Sequence, residues 1–86
     1  MSAPVPAFER QRTRIKMCGL TREADVHAAV WAGVHAIGFV LYAASPRAVT
    51  PDRAAELARL LPPFVTPVLL FVNHSAADAV AALSMV

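Results

Sequence analysis

The sequence predicts an α/β fold on a parallel sheet, and three observations carry that prediction. Three runs of strand length, Arg14 to Cys18, Ala36 to Val40 and Thr66 to Asn73, alternate with segments whose apolar residues recur at helical spacing. Corresponding strand positions Ile15, Ile37 and Val68 stand 22 and 31 residues apart, room enough for right-handed crossovers between parallel strands. Turn and cap signals fall at the junctions. The order is therefore β-α-β-α-β-α, which belongs to a parallel sheet but does not by itself separate a barrel from a doubly wound sheet.

Residues 1–13 read as an irregular tail, because Pro4 and Pro6 block regular structure and no apolar period appears. Residues 14–86 carry the fold. In the first strand a period of two puts Lys16 and Cys18 on one face and Ile15 and Met17 on the other. Gly19 permits a turn, Thr21 is the expected N-cap of the first helix, and Glu23 and Asp25 suit the positive end of its dipole. Val26, Val30 and Val34 form a core stripe, Trp31 is expected to pack on the flank, and Gly33 suits the helix end.

The second strand, "AIGFV", is continuously apolar, as expected of a strand covered on both faces. After the loop "LYAASPRAV", Thr50 caps a second helix with Pro51 at its first position, where the missing proline N–H has no intrahelical partner to lose. Ala54, Leu57, Ala58 and Leu61 are its apolar face, and Pro62 with Pro63 ends it. "TPVLLFVN" is the third strand. Ser75 with Asp78 then opens a third helix in the manner of a capping box.

With 86 residues there is one small domain, yet 57% of the residues are hydrophobic and the mean hydropathy is +0.51. Strands buried on both faces, or apolar surface awaiting a partner, would account for this. Three parallel strands leave open edges, which favours self-association or pairing with a second chain. A (β/α)₈ barrel takes about 250 residues, so this length supplies about three of its eight units.

Several function classes are excluded by composition. The net charge of +2 comes from scattered basic residues, with no stripe for nucleic acid. No secretory signal is visible, and the longest apolar segment, "LLPPFVTPVLLFV", is too short and too proline-rich to span a membrane. The single cysteine excludes a disulfide framework, no spacing suggests a metal site, and a reducing cytoplasm is the expected location.

Cys18 is the candidate for chemistry. In parallel α/β proteins reactive groups collect at the C-terminal ends of strands, and Cys18 ends the first one. An unperturbed thiol has a pKa of about 8.5 and needs a cation or a helix N-terminus to become a thiolate near neutrality. Lys16, two residues back on the same face, is the expected thiolate-supporting group, and the first helix begins just beyond. The plainer alternative is a buried small hydrophobe.

Arg47, in the "SPR" loop after the second strand, opens onto the same mouth and offers a planar fork for a carboxylate or phosphate. A solvated surface arginine is its alternative. His27 and His35 lie away from the strand C-terminal ends and read as solvated. His74 either lines the mouth or belongs to the turn before Ser75.

"KMCGLT", "AGVHAIGFV", "SPRAVTPDRAAELA" and "FVTPVLLFVN", in this order and spacing, resemble the phosphoribosylanthranilate isomerases of tryptophan biosynthesis, over about Arg14 to Asn73. The resemblance implies a parallel (β/α)₈ TIM barrel, of which this is the N-terminal portion. It also implies an Amadori rearrangement of N-(5-phosphoribosyl)anthranilate to 1-(2-carboxyphenylamino)-1-deoxyribulose 5-phosphate, without cofactor or metal. Cys18 matches the family's general base and Arg47 the arginine that holds the anthranilate carboxylate. The family's acid is an aspartate on a later strand and its phosphate cradle comes from the last loops. Neither is expected within these residues, since Asp25, Asp52 and Asp78 all read as helix first-turn groups. The alternatives are a non-catalytic partial barrel that needs a second chain or is an inactive remnant, and an unrelated α/β enzyme using Cys18 as a nucleophile.

Overall fold

The computed structural model describes residues 13–86, so nearly all of the expected tail lies outside the described residues. The elements follow in the expected order: β1 (Lys16–Cys18), α1 (Glu23–Ala32), β2 (Ala36–Val40), α2 (Pro51–Ala58), β3 (Thr66–Leu70) and α3 (Ala76–Leu83). The strands form one parallel sheet in the order β1-β2-β3. Cys18 stands beside Gly38, and Gly38 beside Val68.

A single core forms on one side of the sheet. Ile37, Phe39 and Leu41 point to it and meet Val26 and Ala29 of α1, Ala54 and Leu57 of α2, and Ala82 of α3. All three helices cover the same face, as right-handed crossovers between neighbouring parallel strands require. Helices of this chain cover β2 on one face, and its central residues Ile37, Gly38 and Phe39 are all buried. Among the described residues, the face carrying Lys16, Cys18, Gly38 and Thr66 has no helix over it, and Lys16 and Thr66 are exposed.

The caps explain where the helices begin and end. Thr50 Oγ1 accepts from the Arg53 N–H at 3.1 Å, with Pro51 at the first helical position. Ser75 Oγ accepts from the Asp78 N–H at 3.1 Å. Gly33, at φ 92°, closes α1, and the Val34 N–H then reaches back to the Ala29 carbonyl at 3.3 Å.

Thr21 does not cap α1. The N-cap is Arg22, with no side-chain cap bond, and its guanidinium instead pairs with Asp25 at 3.0 Å. The Thr21 carbonyl is taken by Arg53, which also grips Glu23 and Glu56 and so ties the start of α1 to α2. Trp31, expected to pack, is 93% exposed, because the core stripe of α1 runs through Val26 and Ala29 on another side of the helix.

Candidate active site

The site is built at the C-terminal ends of the strands, where β1 stops at Cys18 and the chain turns through Gly19. Gly19 has φ 81°, a left-handed conformation that glycine adopts without strain. Its N–H donates to the Gly38 carbonyl at 2.9 Å, which extends the β1-β2 ladder one residue past the strand and fixes the cysteine from behind. The thiol is free and half-buried.

Two close approaches define the surroundings of the thiol. A Cβ on Gly38 would lie 2.9 Å from Cys18 Sγ and 3.1 Å from Leu70 Cδ1, so the sulfur and the leucine meet over the bare backbone of β2. A Cβ on Gly19 would lie 2.8 Å from Arg47 Cδ and 3.3 Å from its Nη1, so the Arg47 stem crosses the residue that follows the cysteine. The structure thus brings the "CG" turn and the "SPR" loop together although 28 residues separate Gly19 from Arg47.

The loop is held in place by its own backbone. Val49 N–H donates to the Val40 carbonyl at 2.8 Å, and Ala48 N–H to the Ser45 carbonyl at 3.1 Å. Ser45 Oγ accepts from the Arg47 N–H at 3.1 Å, which orients the residue as it enters the site. The Arg47 guanidinium forms no ion pair with the described residues, leaving its planar fork open for an anionic group.

The other candidates are placed elsewhere. Lys16, on the same face as Cys18, lines a cleft of about 420 Å³ with Arg14, His35, Phe64 and Thr66 near the N-terminal ends of the strands. His35 is exposed but joins β1 to β2: its Nδ1 accepts from the Ile15 N–H at 3.1 Å and its backbone N–H donates to the Ile15 carbonyl at 2.9 Å. His27 is exposed on α1. His74 belongs to the turn after β3, where Nδ1 accepts from the Val72 N–H at 3.0 Å and the ring meets Phe71 edge-on.

Among the described residues, most of the acidic groups have structural partners. Arg22 holds Asp25, and Arg53 holds both Glu23 and Glu56. The hydrogen bonds from Arg53 push the Glu23 carboxyl down to about 2. Asp52 and Asp78 sit in the first turns of α2 and α3. Among the described residues no group of three or more His, Cys, Asp or Glu side chains could hold a metal ion, and no helix is long and apolar enough to cross a membrane.

Two features escaped the sequence reading. The role of Gly38 was hidden inside an apolar run, although a glycine in a strand interior is a signal of close approach. The Arg53 cluster joins residues 30 apart in the chain, and no local pattern announces it.

No protein-family model matches the chain. Over 75 residues it is 71% identical to the N-(5'-phosphoribosyl)anthranilate isomerase of Methylibium petroleiphilum, a match covering 84% of this chain and 35% of that protein. With the Bordetella petrii protein of the same name it is 57% identical over 75 residues, 87% of this chain and 34% of the relative. The phosphoribosylanthranilate isomerase of Thermotoga maritima superposes with a TM-score of 0.83 at 36% identity, over 86% of this chain and 36% of that one. A structure of such an isomerase in complex with reduced 1-(o-carboxyphenylamino)-1-deoxyribulose 5-phosphate also gives 0.83 at 36% identity, over 86% of this chain and 38% of that one.

The fold defines three consecutive β/α units of a TIM barrel, with the candidate residue Cys18 at the C-terminal end of the first strand and Arg47 in the loop that follows the second. In sequence and fold the chain is similar to the N-terminal part of phosphoribosylanthranilate isomerase. It spans about a third of the length of the curated relatives it matches, 35% and 34% for the two above.

Proposed function

We propose that this chain carries the proton-abstracting part of a phosphoribosylanthranilate isomerase, with Cys18 as general base and Arg47 as the anchor for the anthranilate carboxylate. The observation that supports this most strongly is the close approach of the Arg47 side chain to Gly19, the residue that follows the cysteine, with the guanidinium unpaired by any acidic group among the described residues.

The reaction needs two proton transfers. An acid protonates the ribose ring oxygen, the ring opens, and a Schiff base forms between C1′ and the anthranilate nitrogen. The iminium makes the C2′ proton acidic, so a thiolate is strong enough to remove it. The resulting enolamine tautomerises to the ketone. Arg47, by fixing the carboxylate, would hold C2′ at a constant position relative to the sulfur.

The ring-opening acid and the phosphate site are assigned to parts of the barrel outside the described residues. Lys16 shares the strand face with Cys18 at a separation of about 7 Å by strand rise, but it lines the cleft at the opposite ends of the strands. Any support it gives the thiolate would be long-range, and the roles of Cys18 and Arg47 do not depend on it. The reaction proposed takes place in the cytoplasm and draws on no cofactor.

Alkylation tests this reading. In a barrel completed by joining the chain to the unmatched remainder of the Methylibium petroleiphilum relative, iodoacetamide should abolish turnover, and a reduced product analogue should slow the inactivation. Full activity after stoichiometric modification of Cys18 would remove the residue from the mechanism.

A second reading has its own support. The helix-free face of the sheet bears half-buried Val68 and Leu70, and Met17 on the edge strand is 43% exposed. These features suit a partial barrel that pairs with another chain. Sedimentation of the 86-residue chain should then show a dimer or larger species, and a monodisperse monomer would argue against it.

A further inference from the structure

Gly38 occupies the middle of the central strand, where glycine adds conformational entropy to the unfolded chain and packs no side chain. Its backbone does not demand glycine: positive φ among the glycines is confined to Gly19 and Gly33. The requirement is for space, and the nearest atom bounding that space is Cys18 Sγ, 2.9 Å from where a Cβ would stand. Leu70 Cδ1 follows at 3.1 Å, and the Cys18 backbone only at an ordinary 3.4 Å.

A Cβ closer than 3.0 Å to another heavy atom forces something to move, and the sulfur, on a single rotatable bond, is the group free to do so. We propose that Gly38 is a positioning residue for the thiol: by lacking a side chain it lets the Cys18 sulfur lie inward over β2 on the helix-free face of the sheet. This deepens the assignment of Cys18 as the base and rests on that reading for its catalytic meaning. The contact itself is a matter of packing. In parallel register Cys18 and Gly38 are direct neighbours, so an alanine at 38 would send its methyl to the side of the sheet that the thiol occupies.

The test reads the thiol without substrate, so its outcome is independent of whether Cys18 is the base. In the 86-residue chain, Gly38→Ala should turn the Cys18 χ1 by about 120° into another staggered well, read from Hα–Hβ couplings. It should also change the rate and the pH profile of iodoacetamide alkylation. An unchanged rotamer with an unchanged alkylation profile would overturn the proposal. Should Gly38→Ala prevent folding, Cys18→Ala in the same chain removes the sulfur and should restore it. Failure to restore folding would show that the thiol is not what Gly38 makes room for, and would likewise overturn the proposal. Adding Leu70→Val to Gly38→Ala relieves only the leucine contact and should leave the thiol in its altered rotamer. Return to the original rotamer would assign the space to Leu70 and refute the thiol's part.

Discussion

On one face of the sheet Ile37 and Phe39 are wholly buried beneath three helices, whereas on the other Cys18 and Leu70 are half-buried around a glycine. The same strand, β2, supplies both surfaces by the alternation of its side chains. Its odd-numbered residues bury area, and its even-numbered Gly38 leaves space. The difference teaches that the helix-covered core and the proposed site fall on opposite parities of β2, so a change on the helix face should act on folding and a change at the proposed base or its carboxylate anchor should act on turnover.

The largest expected effect that sharpens this comparison is on the helix face. Phe39→Ala should cost about 3–5 kcal/mol through lost burial and the cavity left behind, a large share of what so short a chain can hold. Urea denaturation followed by circular dichroism measures it. A loss well under 1 kcal/mol would mean that the core does not depend on Phe39.

On the open side, in the completed barrel, Arg47→Ala should raise KM for the substrate proposed above by about 10- to 150-fold, the equivalent of one hydrogen-bonded charge contact of about 1.5–3 kcal/mol. The urea midpoint should stay in place. Arg47→Lys keeps the charge and loses the fork, and it should recover only part of the affinity. A KM unchanged by both substitutions would separate Arg47 from the substrate.

The smallest effect lies at the rim, where Arg53 holds the Glu23 carboxyl at about 2 against an ordinary value of 4.5. A carboxylate with a depressed folded value contributes stability that is fully present above its unfolded value and is lost as pH falls through its folded one. The stabilisation by this pair should therefore fade between pH 4.5 and about 2. Both partners meet solvent, so screening keeps the effect small. Comparing urea midpoints of the chain and its Arg53→Met variant across that window checks the sign: the two should converge as the pH drops.

How far these features can be read in the sequence depends on how local their causes are. Thr50 with Pro51, Ser75 with Asp78, and Gly33 each act within a few residues, and each marks its helix end as expected. The parallel order follows from strand spacing. Thr21 misled because the helix start is stabilised from a distance, by Arg53, rather than by its own cap. Cys18 and Arg47 could be proposed from the ends of two strands, but the seats that join them, Gly19 and Gly38, depend on packing between segments and emerge only in three dimensions.

The central claim is that Cys18 removes the C2′ proton. Its most direct test is turnover of the phosphoribosylated substrate by Cys18→Ser in the completed barrel, with the fold checked by circular dichroism. The account predicts an intact fold and a rate lower by about 10²- to 10⁴-fold, as expected when a general base is lost. A rate within a few-fold of the parent would contradict it.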